Sequence, residues 1–152
     1  MDSSALLIAL LWLGAWLPVQ DLAFHEFFEP TPRELRPSAR LLSLAGHRVR
    51  LVGFMVRSEE PPRGGFFLCR FPIVAAEEGG GTADLPPEAA FIVVPSARGR
   101  VFPYTARPVA VEGILDLGSR ADEDGQVSSI RVVLDRLSPD AAGPGQPAPS
   151  QP

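Results

Sequence analysis

Few side chains in this sequence combine the type and the spacing that chemistry needs. Cys69 is the single cysteine. It lies in the apolar segment Phe66–Phe71, on the face shared by Phe67 and Phe71. Such surroundings raise a thiol's pKa, so a core residue is favoured over a nucleophile, and a lone cysteine makes no intrachain disulfide. His25 and His47 are far from each other and from Cys69, without zinc-ligand spacing. His25 reads as an interfacial or solvated residue and His47 as an exposed strand end. Asp122, Glu123 and Asp124 are acidic enough to raise calcium, but the terminal glutamate of an EF-hand loop is missing, and a solvated hairpin tip is the simpler reading. Gly79-Gly80-Gly81-Thr82 lacks the lysine of a phosphate cradle. Glu59-Glu60 and Glu77-Glu78 are loop charges without the burial that acid–base work requires. Arg70 and Asp84 are left as a structural ion pair or the polar rim of a groove. No catalytic residues, cofactor or metal site are expected, and the chain reads as a non-enzyme.

Composition narrows the field further. The chain has 152 residues, with 14 basic and 18 acidic side chains and a formal charge of −4, which does not favour a polyanionic partner. Every basic residue is arginine, and the absence of lysine excludes Schiff-base chemistry and a P-loop lysine. The length suits one domain with tails, and 17 prolines with 14 glycines work against long helices.

The elements that must position any site are strands. Gly46–Arg57 is the longest β-type run, with apolar Val49 and Leu51 alternating with Arg48 and Arg50. After Gly53 both parities are apolar, which predicts a glycine-marked bend and a shift of alternation. Phe66–Phe71, Ala90–Val94, Pro108–Gly118 and Val127–Asp135 follow, the last two joined by a turn ending Asp124-Gly125. Phe66–Phe71 is apolar on both faces. Either a short helix over 38–45 covers its outer side, or a groove is exposed there. Five strands with a long bent first member predict an all-β, OB-like barrel over residues 38–137, with a small sandwich or SH3-like barrel as the alternative.

Outside that domain, residues 5–19 form an uninterrupted apolar run. As a helix it would span roughly 22 Å, nearer a signal h-region than a bilayer core. Residues 1–20 are therefore expected to be a signal peptide or an uncleaved membrane anchor, against an N-terminal apolar helix packed on the barrel. Residues 21–37 read as a linker, in which Phe24, Phe27 and Phe28 lie on the barrel or at a membrane interface. Thr31-Pro32-Arg33-Glu34 has the form of a helix-starting capping box. From Ser138 to 152, Pro, Gly, Ala, Gln and Ser predict a disordered tail.

The motifs Leu44-Ala45-Gly46-His47-Arg48-Val49-Arg50-Leu51-Val52-Gly53-Phe54-Met55-Val56, Phe66-Phe67-Leu68, Ala83-Asp84-Leu85-Pro86-Pro87 and Val109-Ala110-Val111-Glu112-Gly113-Ile114-Leu115 resemble an uncharacterised bacterial exported family of unknown function. A similar domain closes certain uncharacterised bacterial membrane proteins. The resemblance spans about 41–135, and its motifs are structural glycines and core positions. It implies export to the periplasm or cell envelope and an accessory role beside export-type transporters. Cys or His before the Pro-Pro element would imply metal binding, but 72–84 contains neither.

The functional expectation is a non-enzymatic cell-envelope module that binds an envelope protein or small ligand through Phe54, Phe66, Leu68, Arg70 and Asp84. Its location is the envelope, exported or anchored by residues 5–19. The alternatives are a nucleic-acid-binding OB domain using Arg48, Arg50, Arg98 and Arg100 with Phe102 and Tyr104, and a metal-binding carrier.

Overall fold

A computed structural model describes residues 18–75 and 85–139. Among the described residues the chain is all-β apart from one short α-helix and two 3₁₀ turns. In chain order the elements are β1 (Gln20–Asp21), a 3₁₀ turn (Phe24–Glu26), β2 (Phe28–Pro30), β3 (Leu35–Pro37), α1 (Ala39–Ser43), β4 (Arg48–Met55), β5 (Gly65–Cys69), β6 (Ala90–Val93), a 3₁₀ turn (Pro95–Ala97), β7 (Val109–Ala121) and β8 (Val127–Pro139).

The main sheet runs β1-β4-β5-β6-β8-β7, and β7 pairs back onto β4. Pairing therefore returns to the strand on which it began. β6–β8 and β1–β4 are parallel and the other pairs of this sheet antiparallel. β4 makes the return possible by exchanging partners. Arg48–Gly53 pair with β7, and Phe54–Met55 pair with β5. The exchange falls at Gly53, as the glycine predicts. The expected shift of alternation does not occur: Val49, Leu51, Gly53 and Met55 are all buried, with half-buried residues between them. The glycine is needed for close approach. A Cβ at Gly53 would lie 2.5 Å from the Cys69 carbonyl oxygen and 2.7 Å from the Phe24 ring.

Inside the ring, Val49, Leu51, Phe66, Leu68, Ile92, Val111, Leu115 and Val132 form one core. Fully burying each large apolar side chain contributes about 1.5–3 kcal/mol. The stretch expected to be a linker supplies part of this core, since Leu22, Phe24 and Phe27 are buried in it. Three phenylalanines and a leucine in so short a segment hold more apolar surface than a solvated linker would expose. The Thr31–Glu34 sequence starts no helix. It closes the β2–β3 hairpin, with the Glu34 amide donating to Thr31 Oγ1 at 3.1 Å and that hydroxyl donating to the Glu34 carbonyl at 2.7 Å. The capping residues satisfy one another within the turn, and Pro37 has no amide to extend a helix.

The helix expected over 38–45 is α1. Ser38 caps it, accepting from the Leu41 amide at 3.0 Å, while its own hydroxyl donates to the Glu26 carbonyl. Leu41 and Leu44 enter the core and Leu42 stays exposed. The fifth strand continues to Pro139, so Ser138 and Pro139 are paired rather than part of a tail. Residues 1–17 and 140–152, where the apolar helix and most of the tail are expected, lie outside the described residues. Among the described residues no helix is long and apolar enough to cross a membrane.

Gly53→Ala forces the Cys69 carbonyl or the Phe24 ring to move. The expected cost is about 1–3 kcal/mol, read as a lower urea midpoint with an unchanged m-value. An unaltered midpoint would show that the crossing has room to spare.

Candidate functional site

The residues expected to form a groove are divided by the sheet. Phe66 and Leu68 point inward and belong to the core, Leu68 with no exposed surface. Phe54 is half-buried on the outer side opposite Cys69. Arg70 is exposed and lies over the Phe71 ring, 5.1 Å from its centroid. Asp84 is outside the described residues. Phe66 and Leu68 thus cannot share an outward groove with Phe54, because strand alternation sends them to opposite faces, and Arg70 lies beyond the end of β5.

The two-sided apolarity of Phe66–Phe71 has another origin. β5 is buried on both faces. On the outer side Phe67 packs on Phe91, ring centroids 5.0 Å apart, and Cys69 is fully buried. Burial pushes the Cys69 thiol up to about 12, and the Glu88 carboxylate adds to the rise. The charge of Glu88, just before β6, acts on that side, whereas α1 sends Leu41 and Leu44 into the core.

A groove does exist, at another place. It encloses about 400 Å³ beside the loop that joins β4 to β5. Arg57–Pro62 form one wall, Val101–Tyr104 the facing wall, and Gln126 reaches in from the β7–β8 hairpin. Core residues Met55 and Phe66 also line it. Phe66 stacks on Phe102 with ring centroids 5.1 Å apart, so the groove is continuous with the core. Tyr104, the chain's single tyrosine, is 48% exposed on its wall.

The loops around this groove are tied by the acidic hairpin tip. Asp124 accepts from the Arg63 amide at 2.8 Å, from its Nε at 2.9 Å and from its Nη2 at 2.7 Å. Glu123 accepts from the Gly99 amide at 2.8 Å and lies over Gly64, whose positive φ of 77° favours glycine. Asp122 Oδ1 accepts from the amides of Asp124 and Gln126, each at 2.9 Å, and sets the tip's shape. Of the three acids expected to be solvated, Glu123 and Asp124 therefore fasten the β6–β7 loop and the β4–β5 loop to the β7–β8 hairpin. Sequence reading missed this because Arg63 and Asp124 are 61 positions apart. The Asp-Gly turn located the tip but not its partners.

Arg63's amide and guanidinium hold the Asp124 carboxyl below its ordinary range, and the same contact raises Arg63. The arginines considered for nucleic acid are dispersed. Arg48 pairs with Asp135 at 2.9 Å and Glu112 at 3.2 Å, and Arg50 lies 3.9 Å from Glu112, so their charge is largely compensated. Arg100 donates to the Ser96 carbonyl at 2.5 Å. Arg131 is buried in the β7–β8 ladder, donating to Asp116 at 3.0 Å and to the Gly118 carbonyl at 2.5 Å. A second, larger and more open cleft of about 650 Å³ is lined by Leu35, Leu42, Leu85 and Val127 among others.

Comparison with solved structures finds a similar fold in a DUF3299 family protein from Pseudomonas aeruginosa. The TM-score is 0.50 and the identity 15%, over 84% of this chain and 99% of that one. The fold is thus that of an uncharacterised bacterial domain of unknown function, in keeping with the resemblance of the strand motifs. A putative aspartyl-tRNA synthetase from Leishmania major Friedlin matches at a TM-score of 0.41 and 10% identity, over 84% of this chain and 22% of that one, too weak to carry an argument. No family model matches the sequence, and no curated protein does.

Two outcomes follow from the site. The Cys69 thiol is expected to react with a thiol reagent only as fast as the protein unfolds, and rapid labelling of folded protein would contradict its burial. Because the folded Asp124 pKa is depressed, its contribution to stability is present above the ordinary carboxylate pKa and lost as pH falls through the folded value. Asp124→Asn is accordingly expected to lower the melting temperature at neutral pH, with the difference closing in acid. A constant difference across pH would show that the carboxylate's charge is not what ties the loops.

Proposed function

We propose that the chain is a non-enzymatic cell-envelope binding module built on an OB-like barrel. The ring β4-β5-β6-β8-β7, closed by β7 on β4 with β6 and β8 parallel, supports that reading of the fold. OB barrels bind ligands beside the loops after their first and fourth strands. The corresponding loops here are Val56–Gly64 and Asp122–Gln126, joined through Arg63 and Asp124.

The observation that carries the proposal is the groove of about 400 Å³ framed by those loops. Its volume is within the range of small-ligand sites, and its lining joins buried Met55 and Phe66 to exposed Glu59 and Glu60, a mix of apolar and polar groups usual in one. Phe102 and Tyr104 supply flat apolar surface, with Glu59 and Glu60 at the edge. The partner is an envelope protein or small ligand. The apolar run at 5–19 supports a location in the envelope, exported or anchored, and the motif resemblance suggests service to an export-type transporter.

Crosslinking in the native host tests this. A photoreactive phenylalanine analogue at position 104 is expected to give a discrete intermolecular adduct in the envelope fraction, while the same group at position 36 on the β2–β3 hairpin gives none. Adducts at 36 and none at 104 would move the binding surface elsewhere. Single-stranded DNA is expected not to bind. Binding that weakens steeply with added salt would turn the reading to a nucleic-acid module.

A further inference from the structure

The groove beside the β4–β5 loop carries acidic charge that the fold leaves unmatched. Several surface charges are paired, Arg36 with Glu34, Arg48 with Glu112 and Asp135, and Arg63 with Asp124. Glu59 and Glu60 line the groove, and among the described residues neither has a salt bridge or a side-chain hydrogen bond. Arg57 is the single cation of the lining, so the carboxylates outnumber it two to one. Arg98 and Arg100 belong to the β6–β7 loop but not to the lining. At the hairpin end the Gln126 amide bonds Asp122 Oδ1. The other oxygen of that carboxylate is buried without a hydrogen-bond partner among the described residues, and it adds to the negative potential.

The two groove carboxylates sit on a loop that is fastened at both ends. At one end the Arg57 amide donates to the Ile73 carbonyl at 3.0 Å and its carbonyl accepts from the Ala75 amide at 2.8 Å. At the other, the Arg63 amide bonds Asp124 and Arg63 bridges to Val101. Between them Pro61 and Pro62 have a fixed φ, and proline also restricts the residue before it, here Glu60. A lip ordered in advance loses little freedom on binding.

The facing wall selects the shape of the cation. Phe102 stacks on Phe66 and Tyr104 stands 48% exposed, so flat aromatic surface lies across from the carboxylates. A guanidinium suits both walls, since it is planar, stacks on an aromatic face and forks onto a carboxylate. Its aliphatic stem is apolar, as are Met55 and Phe66 in the same lining. An ammonium is a compact, strongly hydrated charge without a stacking plane. Val101, beside Tyr104 in that wall, is 50% exposed. A free cation on the carboxylates leaves this apolar surface in water, whereas a polypeptide carrying the arginine covers it.

We infer that the groove takes an arginine side chain of a partner protein, its guanidinium held between the Glu59 and Glu60 carboxylates and the Tyr104 ring. The inference rests on the groove being the binding site, and it adds the chemistry of the partner.

Nuclear magnetic resonance titration of the full chain tests it with acetyl-Leu-Arg-Leu-amide and the citrulline counterpart, which differ in charge and scarcely in shape. The arginine peptide is expected to shift the Glu59, Glu60 and Tyr104 amides and to bind roughly three- to tenfold more tightly than the citrulline peptide. Glu59→Gln with Glu60→Gln should abolish that preference with the Val49 and Leu115 resonances of the core unmoved, which separates lost charge from lost structure. Arg57→Gln should enlarge it. Equal affinity for the two peptides, or a preference that survives the double variant, would overturn the inference, while the shifts themselves would keep the groove as a binding site. Agmatine binding as tightly as the arginine peptide would make the ligand a free small cation and overturn the protein source. Shifts in none of these amides would overturn the inference too, and would take the groove with it if position 104 gave no adduct in the host.

Discussion

Everything in this fold depends on how closely the backbone can pass itself at Gly53. A strand that pairs with β7 along one half and β5 along the other must cross its neighbours within the space of a missing side chain. The same economy recurs at Gly65 and Gly113, where an added Cβ would lie 2.1 Å and 2.0 Å from carbonyl oxygens of β6 and β8. Close approach at these points keeps a small ring of strands closed around a single core. The domain has no intrachain disulfide to stabilise it instead.

The N-terminal segment completes the enclosure. Strands alone leave the ends of such a ring open to water, and a short chain cannot afford an uncovered core. Leu22, Phe24, Phe27, Leu41 and Leu44 join the core from a stretch that contains only a 3₁₀ turn, a hairpin and a short helix. Ser38 fastens this stretch by capping α1 while donating to the Glu26 carbonyl. With its core assembled from both the strands and this cover, the domain presents its groove between loops rather than on the outer face of β5.

Those loops are ordered by a different kind of interaction. The apolar core stops near Phe66 and Phe102, and beyond it the carboxylates of Glu123 and Asp124 tie three loops together. Exposed contacts of this sort contribute little to global stability. Their effect is positional, since they set the spacing of the walls that carry Tyr104 and Pro62.

Alternation and turn chemistry made the five main strands legible in the sequence, along with the short helix, the Asp-Gly turn and the inert setting of Cys69. These depend on neighbours along the chain, and Val49, Leu51, Val109 and Val111 announce their inward face by period alone. What the period could not reveal was contact between distant segments. Phe24 and Phe27 are equally apolar in a linker or a core. Phe66 and Leu68 look available until the ring closes over them. The Thr31–Glu34 box serves a helix start or a hairpin equally well, and Arg63 finds Asp124 only when two loops are brought side by side. Local pattern determined which residues form strands. The tertiary structure decided which of their faces meet water, because that depends on the path of the whole backbone.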